Sequence, residues 1–499
     1  ITIDAGDDAG GAVDIDSGVS LDSVNQVLIG STRGSDTVDI SGNITANELI
    51  DIEADNDITI DEAAVLFTDD ATAFNGDIDI LSNTGTVALN GTARIEAETD
   101  VIVVADTIDL QSNNAAVEVA AKDNIFFTAD ANSATASVDM SAGIDIVVAA
   151  DNDVTFAGSE TAVRDIFVWA DADADGAGTF THAAGTVQAG GIMIAAADIV
   201  IDDAAAGTVT SLTATGNVTN ADQPPQGNDV TDTTSVALLA SNNITINAPI
   251  SGNGNVIINA DANLTEVLNW PAPISSTTKG VAADGAGDVL INSGVADTAG
   301  FDGAVDITAG GAIEIAGENI TITDDGVQAI ILEAKGTINR NDDGDLYHGD
   351  FGVTLLAIDN INIAGSKTTI TSTAGGFLAE ADFDFSSVLD PEHLAIPQAA
   401  ADGAGAYTNN GAVVVTASFG GIEITAVDGI TLNNNAADWI HAEATAGFVS
   451  VNAGAVLESE DVDPDGAHGG YSIQLDGTGA LTINAGAHLD ADRANDGAP

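Results

Sequence analysis

A chain of 499 residues is long enough for three or four ordinary domains, but it has no cysteine, 4% aromatic residues and 54 glycines, which excludes disulfide staples, thiol chemistry and a thick aromatic core. Nine Lys and Arg against 78 Asp and Glu leave a net charge of −69, so the surface repels nucleic acid and anionic membranes and calls for screening by salt or divalent cations. No apolar run reaches membrane-spanning length and no signal peptide stands at the start, where Ile1 replaces Met, so the chain reads as a mature or excised part of a larger precursor.

The opening ITIDAG begins a pattern that is complete at Ile50–Ile60, IDIEADNDITI. Apolar residues alternate with polar ones, a small Ala marks a corner, three polar residues follow, and the alternation resumes. The pattern returns as VALLASNNITI (Val236–Ile246), VDITAGGAIEI (Val305–Ile315), VTLLAIDNINI (Val353–Ile363) and IEITAVDGITL (Ile422–Leu432). Looser copies start at Ala93, Val117, Ile146, Ile192, Val256, Ile330 and Ile473, and most gaps fall near one, two or three times about 23 residues, the mark of a single repeat array.

Period-2 alternation sends one row of side chains inward and the other to water. A single short rung cannot cover its own inward face, so rungs must stack in parallel at about 4.8 Å. The predicted fold is all-β: one continuous right-handed parallel β-helix over residues 1–499, with about 20 rungs of roughly 23 residues and loop insertions. On this reading one corner motif marks one rung, and Asp, Asn or Gly before the second strand tolerates the left-handed backbone of a sharp turn. A string of immunoglobulin-like sandwiches would instead repeat near about 100 residues.

The segments GAIEIAGENITITDDG (Gly311–Gly326) and GALTINAGAHLDAD (Gly479–Asp492) resemble the repeat region of filamentous-haemagglutinin-type adhesins and related large secreted β-helical surface proteins. That likeness covers nearly the whole chain as repeat grammar. It implies a right-handed parallel β-helix, export, and a role in adhesion or in a surface fibre; nothing here resembles that family's amino-terminal secretion domain.

Polar segments interrupt the repeat near Asp175, Asp229, Asp284, Asp343, Asp402 and Asp465. Residues 1–160 should therefore be a smoother coil and 161–499 a loop-decorated one, with the loops on one side if register holds. DPEHL (Asp390–Leu394) has the N-cap, proline and acid of a short helix.

Three loops space oxygen ligands as calcium loops do, alternately and ahead of a Gly. They are Asp171, Asp173 and Asp175; Asn339, Asn341 and Asp343 with Asp345 and Asp350; and Asp461, Asp463 and Asp465. Chance strings in an Asp-rich chain are the alternative. His182, His348, His393, His441, His468 and His488 show no zinc spacing and are expected on the surface or in loops. Sequons at Asn43, Asn90, Asn217, Asn243, Asn263 and Asn319 sit mostly before strands, where Asn is also a turn residue, and Trp169, Trp270 and Trp439 are expected to pack loops onto the coil.

No local cluster joins a base to a cation, so the chain is read as no enzyme; a polysaccharide lyase or hydrolase is the weakest alternative. The expected function is an extracellular or cell-surface structural protein whose units stack head to tail, the Ile1–Ile3 end against the Asp496–Pro499 end, with Ca2+ or other divalent cations as partners and neither nucleic acid nor membrane insertion; the other reading of the two bare ends is a chain cut from one longer polypeptide. The alternative is the shaft of a secreted adhesin that binds host or glycan through its loop-bearing face.

Overall fold

The computed structural model describes residues 1–3, 11–30, 37–61, 63–69, 76–90, 93–111, 118–121, 125–129, 134–137, 139–171, 177–201, 211–215, 218, 234–246, 248, 250–252, 255–260, 289–292, 305–309, 313–317, 320–323, 330–334, 351–357, 360–364, 369–372, 376–382, 404–409, 413–417, 421–459 and 473–490. Every strand pairing among them is parallel, and no helix occurs among them. Backbone contacts group the chain into two units, one chiefly Ile1–Ala197 and one chiefly from Asp198 onward.

In the first unit the rung that starts at Leu49 shows the plan. Leu49–Ala54, Ile58–Ile60 and Val65–Thr68 are three short strands separated by corners. Each lies in parallel on the strand three further along the chain: Ile50 on Ile78, Ile58 on Val87, Leu66 on Ile95. Three sheets result, here termed A, B and C after the first, second and third strand of a rung. Partners in sheet A run Val27, Ile50, Ile78, Val101, Ile125, Ile146 and Ile166. The fold is thus a parallel β-helix with three walls.

The second unit repeats the plan. Gly421–Ala426, Gly429–Leu432 and Asn434–Ala437 make one rung, and Trp439–Ala444, Phe448–Val451 and Val456–Ser459 stack on it in sheets A, B and C. Steps here stretch from Ile422 to Ile440, without an insertion, to Phe377 to Ile422, with one.

Alternation explains the core. Ile50, Ile52, Ala54, Ile58, Ile60 and Leu66 are all 0% exposed, while Asp51 and Glu53 between them face outward. Burying each Ile contributes about 1.5–3 kcal/mol, and because no wall has a second layer, that gain exists only when rungs stack. Wide inward side chains on adjacent rungs meet across the register, as Phe156 and Phe180 do edge to face at 5.4 Å between ring centres, while Phe180 lies on Val154.

The corner motif does not mark one corner per rung. At Ile50, Val236, Val353 and Ile422 it spans the turn from sheet A to sheet B, but at Val305 it spans the turn from C to A. Both corners need a small residue and a polar bend, so one grammar serves two places. The six interrupting segments also have definite addresses. Those at Asp175, Asp284 and Asp402 join sheet A to sheet B, and those at Asp229, Asp343 and Asp465 join sheet C to sheet A. In chain order the strands that flank them alternate between the A-to-B and the C-to-A connection.

Sheet A changes character along the chain. Its outward residues Asp51 and Asp79 are acidic, whereas Val147, Ala149, Phe167, Trp169 and Met193 occupy the same row at 5% exposure or less. Strands apolar on both faces are covered on both, so the chain itself shields this stretch of the wall. In the second unit Ala237, Leu239 and Ile257 are buried in the same way.

Candidate functional site

Of the eleven predicted calcium-loop residues only Asp171 falls among the described residues; Asp173, Asp175, Asn339, Asn341, Asp343, Asp345, Asp350, Asp461, Asp463 and Asp465 lie outside them, as does DPEHL. Asp171 is fully buried at a left-handed φ of 88°. Its amide donates to the carbonyls of Ala150 and Asn152 at 3.0 and 3.1 Å, and its carbonyl accepts the Trp169 indole N–H at 2.8 Å. Its backbone is therefore committed to holding the corner, and Trp169 packs on the outer face of sheet A. Among the described residues no group of three His, Asp or Glu is placed to hold a metal ion.

The Asp and Asn at the corners have a different use from the one expected. Positive φ among non-glycine residues is confined to Asp171 and Asp382 within the described chain, both at the point where the chain leaves sheet A. Elsewhere the residue at, or just before, the start of a strand accepts through its Oδ1 from the backbone N–H of the equivalent residue one rung on. In sheet B, Asp57 accepts from Thr86 (2.8 Å), Asp153 from Thr179 (2.9 Å), Asp198 from Asn243 (3.0 Å) and Asn360 from Ala406 (3.0 Å). In sheet C, Asn43 accepts from Val65 (3.1 Å), Asp139 from Ser159 (3.0 Å) and Asn434 from Val456 (2.9 Å). In sheet A, Asp77 accepts from Asp100 (3.2 Å) and Asp145 from Asp165 (3.1 Å).

The side chain thus extends the ladder by one bond into the corner, where the backbone carbonyl has turned away. Two sequon asparagines, Asn43 and Asn243, belong to this system. Replacing Asp57 by Ala should cost about 1–2 kcal/mol and replacing it by Asn should cost little, because the acceptor and not the charge is used. Protection of the Thr86 amide in hydrogen exchange checks this, and equal losses in the two variants would refute it.

Carboxylates that do not cap stack on one another. Asp14 lies on Asp39, and Asp51 on Asp79. Burial, then the charges of Asp77, Asp51 and Asp100, raise the Asp79 carboxyl to about 6. Burial raises Asp51, and burial with Asp61, Asp14 and Asp16 raises Asp39. One cation does join carboxylates: Arg164 donates from Nε to Asp145 at 2.8 Å and pairs through its second nitrogen with the same group, beside Asp165. Both acids are buried, so this cluster clamps a corner between rungs.

His182 overturns the expectation that histidines lie on the surface or in loops, and Glu160 is buried with it. Both are 0% exposed and face the lumen. His182 follows Phe180 at a spacing of two in Thr-Phe-Thr-His, so the row it occupies was readable from alternation. Burial lowers the His182 imidazole to about 4 against a weaker opposing effect of the Ala184 backbone. Burial, then Asp139, pushes Glu160 well above the usual carboxyl range, although the Glu160 and Gly158 backbone N–H groups lie near enough to favour its charged form. His441 is nearly buried on the outer face of sheet A, His488 is exposed, and His348, His393 and His468 lie outside the described residues.

No family model, curated protein or solved structure matches the chain. The class that the geometry defines is a three-walled parallel β-helix with an acidic exterior.

Proposed function

We propose that the protein is an extracellular structural subunit whose coil stacks end on end with further copies into a surface fibre, sheath or layer. The observation that carries this reading is the rung at residues 473–490. Its inward residues Leu481, Ile483 and Leu489 are 53%, 51% and 37% exposed, whereas Val449, Val451 and Leu457, on which they lie, are 0% exposed. Such an exposed inward row is covered by one more parallel rung, whose backbone would also extend the ladder. The first rung offers a match in kind: Thr2 and Ile3 pair upward with Leu28 and Ile29, and Ile1 is 47% exposed.

A net charge of −69 opposes such contact, so assembly should strengthen with salt or divalent cations. Calcium in the loops at residues 171–175, 339–350 and 461–465 is the specific form of that requirement; an unchanged melting temperature after chelation would remove it. If Ile1 and Ile3 continue the rows of Ile473 and Leu475, Thr2 stands over Gln474 at about 4.8 Å, within disulfide reach. In this cysteine-free chain the pair Thr2→Cys with Gln474→Cys should give a covalent ladder of multimers under oxidation, with filaments in electron micrographs. A chain that stays single at every ionic strength would overturn the proposal, and one that then binds cells or glycans would favour the adhesin shaft.

A further inference from the structure

We propose that the corner between sheets B and C in the first unit encloses a buried hydration site with Glu160 and His182 as its walls. Glu160 opens the sheet C strand that follows Phe156 round the corner, in the inward row of Met140 and Val187. His182 lies directly on Phe156, one rung further along. The two side chains therefore line one corner of the lumen on adjacent rungs, which the Ala183 N–H ties together through its 2.8 Å bond to the Phe156 carbonyl.

Neither carboxyl oxygen of Glu160 and neither ring nitrogen of His182 has a hydrogen-bond partner of good geometry, and both residues are 0% exposed. Buried polar groups in that condition are costly, and a water with two to four polar partners removes the cost. The chemistry is complementary. Burial favours the neutral form of each group, and in that form a carboxyl and an imidazole each present one donor and an acceptor. A metal ion would want more and charged ligands, and among the described residues no third ligand stands by. The same corner in the second unit carries Asn409 and Asn435, again inward on adjacent rungs, with Asn409 beside the Tyr407 hydroxyl and the Oδ1 of Asn435 unpartnered. Polar side chains thus recur at this corner.

The test is hydrogen exchange over residues 180–188 of the full chain, comparing Glu160→Met, His182→Phe, the double variant and Glu160→Gln. Met and Phe are the residues already stacked one rung below, at Met140 and Phe156, so the coil is kept. A shared water couples the two positions. The protection change in the double variant should then differ from the product of the single changes by about tenfold, while Gln, which still binds water, stays near wild type. Single effects that multiply to the double within about twofold, or a Gln variant that behaves like Met, would overturn the site.

Discussion

Replacing Gly185 by alanine is expected to open the B-to-C corner of its rung and to cost about 3–5 kcal/mol of local stability. Gly185 has a φ of 89°, and a Cβ there would stand 1.7 Å from the Gly158 carbonyl oxygen, which belongs to the rung below. Two penalties add. A left-handed backbone costs an L-residue about 1 kcal/mol, and the overlap is with backbone, which cannot rotate away as a side chain can. Rungs stacked at about 4.8 Å leave no slack along the coil axis, so the rung must lift and lose the inward contacts of Phe180 and Val187. Gly454→Ala is the matched control: its φ is 77°, with nothing within 4 Å of the added Cβ, and it should cost only about 1 kcal/mol. Hydrogen exchange over each corner measures both, since a long coil need not melt in one step. Equal losses at the two positions would show that stacking tolerates the overlap.

Between about pH 6.5 and 4 the melting temperature is expected to reflect two opposed effects, a gain on acidification from the stacked acids and a loss from His182. Asp79 sits at about 6 in the folded chain against 3.8 unfolded. A raised acid contributes stability fully below 3.8 and loses it as pH rises through 6. The full shift corresponds to about 3 kcal/mol, reduced to about 1 for a half-exposed group screened by solvent. Asp39, Asp51, Glu53 and Glu160 are raised too and act in the same sense.

His182 works the other way. Its imidazole is lowered from 6.5 to about 4, so its contribution is complete above 6.5 and disappears as pH falls toward 4, a loss of about 3 kcal/mol. The two effects can be separated by mutation. Asp79→Asn should remove the gain on acidification between about pH 6 and 4, and His182→Phe the loss between about 6.5 and 4. An Asp79→Asn variant that gained as much as wild type on acidification from about pH 6 to about 4 would contradict the account of the stacked acids.

Much of the fold was legible because alternation is a property of bond geometry. Ile50, Ile52, Ile58 and Ile60 could be sent inward without coordinates, and His182 could have been placed among them by the same count. The acceptor role of Asp57 or Asn43 was not legible, since an Asx residue before a strand looks the same whether it bends its own backbone or caps a neighbour's. Nor was the third wall. The motifs at Ile50 and Val305 read alike, although one turns A into B and the other C into A.

The order of residues alone was therefore enough to establish an all-β chain of short strands with an apolar inner row, since the inner and outer rows are set by each residue's immediate neighbours. Which corner a motif occupies, which wall is covered on both faces, and that Glu160 and His182 share a corner emerged only with the stacked coil. Those facts depend on partners such as Ile50 and Ile78, or Phe377 and Ile422, that lie far apart along the chain, and insertions of varying length hide that pairing from any local reading.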